Sequence, residues 1–263
     1  FRGAITVAEA LRESRNVPAI RVTEAIGLSR CLGLARSCGV RVPPGSDEAG
    51  GLAIAVGGVE TTLLDLTNAY ATIGREGVFR EPKLFPETPS PQHRALSQLT
   101  SRTLTEILST THRTPSGQES TLPESRPWFM WKTGTSSGRR DAWAVGHNGR
   151  FAIGVWAGRF SGAGHPAFVG RTAAEPLLAK LFSLQPVRVN VAPNAPPEIP
   201  VTRPLQLEKS NSRGLRIVSP SDGAEFLSPG KSLANVPVAT HDAEEATWFL
   251  NQKPVAAQTR TLK

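Results

Sequence analysis

The chain has 263 residues, of which 39% are hydrophobic and 20% are charged, and this balance excludes an intrinsically disordered protein. No apolar run approaches the ~20 residues that a membrane-spanning helix needs. The formal net charge of +8 fits a solvated basic surface facing an anionic polymer or a lipid surface. The arginines are scattered and form no long basic run, so we predict no nucleic-acid partner.

The N-terminal part of the chain is rich in helix signals. Thr6 and Glu9 have the spacing of a capping box, which predicts a helix over residues 7–14. That helix should end at Ser14-Arg15-Asn16, because Pro18 is well placed as the first residue of a second helix. Capping residues and apolar periodicity predict three further helices, at residues 29–38, 62–73 and 97–111.

Strand signals begin near the middle of the chain. Residues 128–135 have strand character, and two short β-rich runs at 142–146 and 151–157 are joined through Asn148-Gly149, a strong hairpin signal. Residues 173–184 predict a closing helix with one apolar face. Helices followed by strands and a final helix predict an α+β domain with an antiparallel sheet.

The C-terminal part of the chain changes character again. Prolines are frequent from Pro186 to Pro204, which predicts an extended linker. Beyond it, residues 215–218 and 246–250 alternate like strands, but a tail of this length buries little core, so we predict part of a β-sandwich. The predicted organisation is a main domain, a Pro-rich linker and an incomplete C-terminal β domain, at residues 1–184, 185–213 and 214–263.

Cysteines and histidines give no sign of a disulfide or a metal site. Cys31 and Cys38 lie seven residues apart on one predicted helix, about 10 Å along its axis, which is too far for a bond. We predict two buried free thiols. The five histidines lack metal-ligand spacing, and we predict no metal and no cofactor.

The segment Lys132-Thr133-Gly134-Thr135-Ser136 ends the predicted strand at 128–135. A lysine there places a cation within reach of a substrate carboxylate and a reacting hydroxyl. Gly134 lets an extended peptide lie against the strand, and the hydroxyls of Thr135 and Ser136 can hold a terminal carboxylate. The alternative is an ordinary Thr/Ser-rich strand end with one exposed lysine.

Ser14-Arg15-Asn16 is the second motif, predicted in a loop between two helices. Such a loop can present the Ser14 and Asn16 side chains to a cleft, although both residue types are also common at helix ends. Its place upstream of the Lys-Thr-Gly strand gives it weight.

Together these motifs and their flanks resemble the class A penicillin-binding proteins of the 1C type, over roughly residues 1–184. The tail around Ile217-Val218-Ser219-Pro220 and Trp248-Phe249-Leu250-Asn251 resembles that family's small C-terminal domain. The resemblance implies a penicillin-binding protein/β-lactamase-like transpeptidase fold, with an antiparallel sheet flanked by helices and a helical subdomain, followed by a partial β-sandwich. The matching flanks are Asn16-Val17-Pro18-Ala19, Ala69-Tyr70-Ala71-Thr72, Trp131 before the Lys-Thr-Gly motif, and Arg140-Asp141-Ala142-Trp143-Ala144-Val145-Gly146.

The same resemblance implies a mechanism. A serine of an S-x-x-K motif attacks the D-Ala-D-Ala carbonyl of a peptidoglycan stem peptide, and a second stem peptide resolves the acyl-enzyme. Ser14 would relay a proton, eased by Lys132, and the two side chains should approach hydrogen-bonding range within one cleft that also holds Asn16 and Thr135. The further implied roles are Asn16 holding a substrate amide, the Thr135 N–H as an oxyanion-hole donor, and Thr133, Thr135 and Ser136 facing the substrate carboxylate. β-Lactam antibiotics would acylate the same serine.

The chain departs from the family at the nucleophile. Its one S-x-x-K match is Ser228-Pro229-Gly230-Lys231, which follows the Lys-Thr-Gly strand and whose Pro and Gly disfavour a helical turn. We therefore expect the nucleophile to lie outside this chain, in an upstream segment, and the chain alone to be inactive. The family also implies an upstream glycosyltransferase domain, a membrane anchor, lipid-linked precursors as partners, and a location at the periplasmic face of the bacterial inner membrane.

Three alternatives remain open at this point. A D,D-carboxypeptidase or a β-lactamase uses the same motifs with water as the acceptor, and the chain could instead be a non-catalytic peptidoglycan-binding remnant. Gly134-Thr135-Ser136-Ser137-Gly138 also satisfies the nucleophile-elbow pattern of α/β-hydrolases, which requires a strand, a turn and then a helix. The Asn-Gly hairpin signal that follows opposes the elbow.

Overall fold

The computed structural model describes residues 4–46, 50–85, 87–190 and 192, together with five short strands between residues 216 and 262. The chain divides into two compact units, residues 1–204 and 205–263. The division falls within the predicted linker at 185–213, whose bounds stay a prediction. Within the described ranges, no helix has the length and apolar character needed to cross a bilayer.

Three helices of the first unit begin at a residue whose side chain caps the helix, namely Thr6, Thr62 and Ser97. The Thr6 hydroxyl accepts from the Glu9 amide while the Glu9 carboxylate accepts from the Thr6 amide, so the predicted capping box is confirmed. Thr62 caps a later helix by accepting from the Asp65 amide. The helices are α1 (Val7–Arg12), α2 (Asn16–Ile26), α3 (Leu28–Ser37), α4 (Leu63–Gly74), α5 (Gln98–Leu108) and α6 (Glu175–Ser183).

The predicted start of the second helix at Pro18 is wrong. Helix α2 begins at Asn16, with Arg15 as its N-cap, so Pro18 is its third residue. Amide groups of a helix's first turn have no intrahelical acceptor, so a proline is tolerated anywhere in that turn. Only the end of the predicted loop is therefore helical, and Ser14 lies outside both helices.

An antiparallel sheet of three strands forms the centre of the first unit. Its strands β3 (Met130–Thr135), β4 (Asp141–His147) and β5 (Ala152–Gly158) follow the order β3-β4-β5, which makes β3 an edge strand. Lys132 pairs with Val145, and Thr135 pairs with Ala142. The predicted Asn-Gly hairpin between β4 and β5 is confirmed. A smaller ladder joins β1 (Val78–Arg80) to β2 (Gln92–Arg94).

Apolar side chains cover both faces of the sheet. On one face, Phe129 and Trp131 are buried with Phe182 of α6, and the Phe129 and Phe182 rings stack with centroids 4.6 Å apart. On the other face, Met130 is buried with Ile107 and Leu108 of α5. The sheet therefore lies between helical layers, and the α+β prediction is confirmed.

The second unit is described only as short strands. A three-stranded sheet joins β6 (Arg216–Ser219) antiparallel to β7 (Ala239–His241), which pairs in parallel with β10 (Arg260–Leu262). A separate pair joins β8 (Trp248–Leu250) to β9 (Lys253–Val255). Strands β6 and β8 lie where the sequence predicts strands, at 215–218 and 246–250. The S-x-x-K match Ser228-Pro229-Gly230-Lys231 falls outside the described residues.

Both cysteines are free thiols, as the sequence predicts. Cys38 is buried beside Ala69 and Leu96. The prediction of two buried thiols is wrong for Cys31, which is only half-buried. Cys38 is the C-cap of α3 and packs in the cluster with Ala69 and Leu96, whereas Cys31 lies within the helix and outside that cluster.

Candidate active site

Helix α1 carries Ser14 to the edge strand β3. Ala8 and Leu11 of α1 pack against the buried cluster of Ile107, Leu108 and Met130. The Arg12 Nε donates to the Ile107 carbonyl at 2.9 Å. Because the apolar face and the Arg12 bond both fix α1 to α5, the residue that follows the helix is held beside the strand.

Ser14 ends α1 in a left-handed backbone conformation, with φ 54°. Its amide donates to the Leu11 carbonyl at 3.2 Å, and the Arg15 amide donates to the Ala10 carbonyl at 2.9 Å. This is the Schellman motif, in which the left-handed position is usually glycine. Non-glycine residues held in strained backbone conformations cluster at functional sites, although Glu76 and Arg139 also have positive φ here.

Lys132 joins the two sequence motifs. Its Nζ donates to the Ser14 hydroxyl, across 118 residues of sequence, and to the Thr133 carbonyl at 3.0 Å. The predicted contact between Ser14 and Lys132 is confirmed. Burial, and after it the nearby Arg113 cation, lower the pKa of Lys132 from 10.5 to about 8, while Glu175 acts in the opposite direction.

A lysine with this pKa can exchange a proton near neutral pH. Roughly a tenth of such amines are neutral at pH 7, whereas an ordinary lysine is almost fully charged. A group whose pKa lies near the operating pH is suited to general acid–base catalysis. Ser14 and Lys132 can therefore pass a proton between them in either direction.

Thr135 is held by a glycine that the sequence did not mark. The Gly170 amide donates to the Thr135 Oγ1 at 3.0 Å, and Gly170 is the first residue of a wide helical turn (Gly170–Ala174) that leads into α6. A Cβ on Gly170 would come within 2.3 Å of the Gly134 carbonyl oxygen, so only glycine fits there. The bond uses Oγ1 as an acceptor, which leaves the hydroxyl hydrogen of Thr135 for a ligand.

Ser136 is bonded within the protein. Its hydroxyl donates to the Asp141 carboxylate at 2.7 Å and accepts from the Asp141 amide at 2.8 Å. The other carboxylate oxygen of Asp141 accepts from the Trp156 indole at 3.0 Å. Asp141 thus fixes the turn after β3, and the Ser136 hydroxyl is directed into that turn rather than to a ligand.

The fold itself would tolerate a side chain at position 134. A Cβ there would meet only the Trp143 Cβ, at 3.6 Å, which is ordinary contact. Its backbone angle also lies outside the left-handed region. Thr133, the preceding residue, is half-buried. Gly134 is exposed on the edge strand, and its lack of a side chain leaves room for the close approach of an extended ligand.

Asn16 lies exposed at the first residue of α2. Among the described contacts, none joins its side chain to Lys132 or Thr135. Convergence of Asn16 and Thr135 with the Ser14–Lys132 pair stays a prediction.

The nucleophile-elbow interpretation of residues 134–138 fails on geometry. A single 3₁₀ turn at Ser137–Arg139, with Gly138 at φ 68°, separates β3 from β4. The elbow requires a helix at this point, whereas β4 starts at Asp141.

Three residues that build this site had no role assigned from the sequence, namely Arg113, Asp141 and Gly170. Asp141 lies in a flank that matches the family and directly precedes the strand predicted at 142–146, so its position near Ser136 was detectable. Arg113 and Gly170 had no such signal, since each acts on a segment distant in sequence.

Comparison with known proteins agrees with this geometry. Residues 1–155 match the family described as penicillin binding protein transpeptidase domain. The chain is 34% identical over 203 residues to penicillin-binding protein 1C of Escherichia coli strain K12, covering 77% of this chain and 26% of that protein. It is 27% identical over 184 residues to penicillin-binding protein 1A/1B of Bacillus subtilis strain 168, covering 60% of this chain and 20% of that protein.

A solved structure shares the fold. The crystal structure of penicillin-binding protein 1A from Haemophilus influenzae matches with a TM-score of 0.55 at 18% identity, covering 72% of this chain and 36% of that chain. The chain thus spans about a quarter of the length of penicillin-binding protein 1C and a fifth of that of penicillin-binding protein 1A/1B.

Proposed function

Because this chain belongs to the penicillin-binding protein transpeptidase family, we propose that it forms part of a penicillin-sensitive peptidoglycan D,D-transpeptidase. The observation that carries the proposal is the hydrogen bond from Lys132 to Ser14. It unites the two motifs that this chemistry requires, although each motif alone is common.

In the proposed reaction, a serine hydroxyl from an S-x-x-K segment outside this chain attacks the D-Ala-D-Ala carbonyl. The oxyanion accepts hydrogen bonds from the Thr135 N–H and from the nucleophile's own N–H. The proton of the attacking hydroxyl passes to the lysine of the S-x-x-K segment. Ser14 gives its proton to the departing D-Ala amine and takes one from Lys132, which recovers a proton from that lysine. The amine of a second stem peptide then attacks the acyl-enzyme, gives up a proton to the serine oxygen, forms the cross-link and frees the serine.

We assign substrate binding to the end of β3. The open hydroxyl hydrogen of Thr135 suits a terminal carboxylate, the backbone of Thr133 lies on the open edge of β3, and Gly134 leaves room for an extended peptide. Asn16 is assigned to a substrate amide. Ser136 acts here by holding the turn with Asp141, a change from the direct carboxylate contact expected from sequence.

The setting of the whole protein belongs to the same proposal. We infer a bifunctional enzyme with a glycosyltransferase domain and a membrane anchor, acting at the periplasmic face of the inner membrane on lipid-linked precursors. A cell-wall role and sensitivity to β-lactam antibiotics follow from it.

The test uses a longer chain that carries the S-x-x-K segment upstream of these residues. Incubated with fluorescent penicillin, it should label, and Lys132→Met should remove most of the labelling. Stem-peptide donor and acceptor should then yield a cross-linked dimer. Release of peptide that has lost its terminal D-Ala, without a cross-linked dimer, would indicate a carboxypeptidase. Rapid hydrolysis of the penicillin would indicate a β-lactamase. A complete lack of labelling would contradict the transpeptidase function and favour a non-catalytic peptidoglycan-binding protein.

A further inference from the structure

Arg113 lies against the strand residue that precedes Lys132, and the mechanism above does not use it. Its guanidinium carbon lies 3.7 Å from the centroid of the Trp131 ring. Its Nη2 donates to the Leu108 carbonyl at 3.0 Å and also to the Trp131 carbonyl. The side chain thus binds both the ring and the backbone of Trp131.

The bond to the Trp131 carbonyl is one of a row of hydrogen bonds to carbonyl groups along the outer edge of β3, the edge that faces away from β4. Backbone groups of alternate residues point to the same side of a strand, so those of Phe129, Trp131 and Thr133 share one edge. The Phe129 carbonyl accepts from the Thr110 amide at 2.9 Å. Arg113 takes the Trp131 carbonyl, and the Lys132 Nζ takes that of Thr133. Lys132 therefore lies where the covered part of the edge gives way to the part that a ligand can reach.

We propose that Arg113 is a positioning residue, which fixes the strand at Trp131 and weakens the hold of Lys132 on the proton that it shares with Ser14. The inference rests on the proposed function, because it concerns the proton relay of that same site.

Electrostatics supports the proposal. After burial, Arg113 is the main cause of the low pKa of Lys132, since a second cation opposes protonation of the amine. Burial lowers the pKa of Arg113 itself to about 10, so the guanidinium stays charged at neutral pH.

Three other titratable groups act on Lys132 or Arg113, and Glu13 and Arg15 form an exposed ion pair beside Ser14. Glu175 of α6 is the one that favours the charged form of Lys132. Arg12 of α1 acts on Arg113, lowering its pKa. Burial raises the pKa of Tyr70 of α4 to about 12, so its phenol is neutral at physiological pH.

Arg113 affects the transfer of one proton, the one that Lys132 donates to Ser14. When Ser14 gives its proton to the leaving amine, its oxygen takes a proton from the Lys132 ammonium, and Lys132 is left neutral. A lysine with the ordinary pKa of 10.5 gives up this proton less readily than one at about 8. A lower pKa of the donor makes the transfer of its proton to the Ser14 oxygen more favourable.

The first measurement is the titration of Lys132 by NMR in the 263-residue chain labelled with ¹⁵N-lysine, with Lys132→Arg used for assignment. Arg113→Met and Arg113→Gln should raise the Lys132 midpoint from about 8 toward 10.5, and Arg113→Lys should keep most of the depression. Arg150→Met is the matched control, because Arg150 also lies over an aromatic ring, that of Phe151, and should not move the midpoint. A folded Arg113→Gln protein with an unchanged midpoint would overturn the proposal, even if Arg113→Met does not fold.

The second measurement separates this inference from the proposed function. In the longer, penicillin-labelling chain, the pH profile of acylation should move to higher pH in Arg113→Gln and stay in place in Arg113→Lys. Acylation with an unshifted profile contradicts the role of Arg113 alone. A complete lack of acylation in the unsubstituted protein contradicts the transpeptidase function, while the lysine titration still decides the Arg113–Lys132 coupling.

Discussion

Ser14 holds a backbone conformation that costs a serine free energy and a glycine almost none, because Cβ crowds the following carbonyl oxygen at positive φ. The Schellman bonds that enforce the conformation close α1, and they would form as well around glycine. What glycine could not supply is the hydroxyl that accepts from Lys132. The protein therefore loses some stability at Ser14, the residue whose hydroxyl makes the contact with Lys132 on which the proposed chemistry depends.

Two substitutions of Ser14 separate the strain from the hydroxyl. Both Ser14→Gly and Ser14→Ala remove the bond to Lys132, but only glycine relieves the left-handed backbone. We expect Ser14→Gly to be more stable than Ser14→Ala by about 1 kcal/mol. Urea denaturation of the two proteins measures the difference. Equal midpoints would show that the conformation at Ser14 is not strained.

Gly134 is a position where we expect a substitution to leave stability almost unchanged and to impair ligand binding. Gly134→Ala should leave the free energy of unfolding within about 0.5 kcal/mol of the original, because the new methyl meets only Trp143 at ordinary contact distance. In the longer chain, the same substitution should slow acylation by penicillin at least tenfold, since the methyl projects where the ligand lies. Gly170→Ala is the contrasting variant, expected to unfold more easily because its methyl would overlap the Gly134 carbonyl.

At the scale of elements, the β4–β5 hairpin is tied to the helices by a buried histidine. His147 is the last residue of β4, and its Nδ1 accepts from the Gly149 amide at 3.2 Å. Its Nε2 is then the protonated nitrogen and lies 3.3 Å from the Thr105 hydroxyl of α5. Burial lowers the pKa of His147 from 6.5 to about 4.

This lowered pKa predicts acid sensitivity. The folded protein holds His147 neutral, whereas the unfolded chain protonates it below about pH 6.5, so its contribution is complete above that pH and is lost as the pH falls toward 4. The loss amounts to about 3 kcal/mol over this range.

His147→Gln should therefore show a shallower fall in stability between pH 6.5 and 4 than the original protein does. Urea midpoints at several pH values give the two slopes, and His165→Gln, on an exposed loop, controls for the loss of one imidazole. Identical slopes for the original protein and His147→Gln would contradict the prediction.

The elements themselves were largely predictable, because their signals are local. The capping box at Thr6 and the Asn148-Gly149 turn are each encoded within a few residues, and both are confirmed. The start of α2 was misplaced because a proline suits any position of a first turn. Arg113 and Gly170 escaped prediction since their partners, Trp131 and Thr135, are distant in sequence and only the packed fold brings them together.

For the whole molecule, the distribution of catalytic groups predicts what this chain can do alone. Groups that act as a unit cannot replace the nucleophile, so the relay and oxyanion residues should give no covalent step without it. We expect the 263-residue chain to form no adduct with benzylpenicillin, as measured by intact mass, under conditions in which the longer chain is acylated. An adduct on Ser14, Ser136 or Ser228 would mean that the nucleophile has been misassigned.

The coverage of β3 also bears on how the protein avoids self-association. An exposed sheet edge can template pairing with another copy of the same chain, and long open edges favour aggregation. Here the segment leading to Arg113 covers the first half of the edge, through the Ser109–Met130 bridge, the Thr110–Phe129 bond and the Arg113 side chain. These contacts leave uncovered the end of the strand, Thr133–Thr135. So short an open edge favours a short peptide that side chains also bind over pairing with a second copy of the chain.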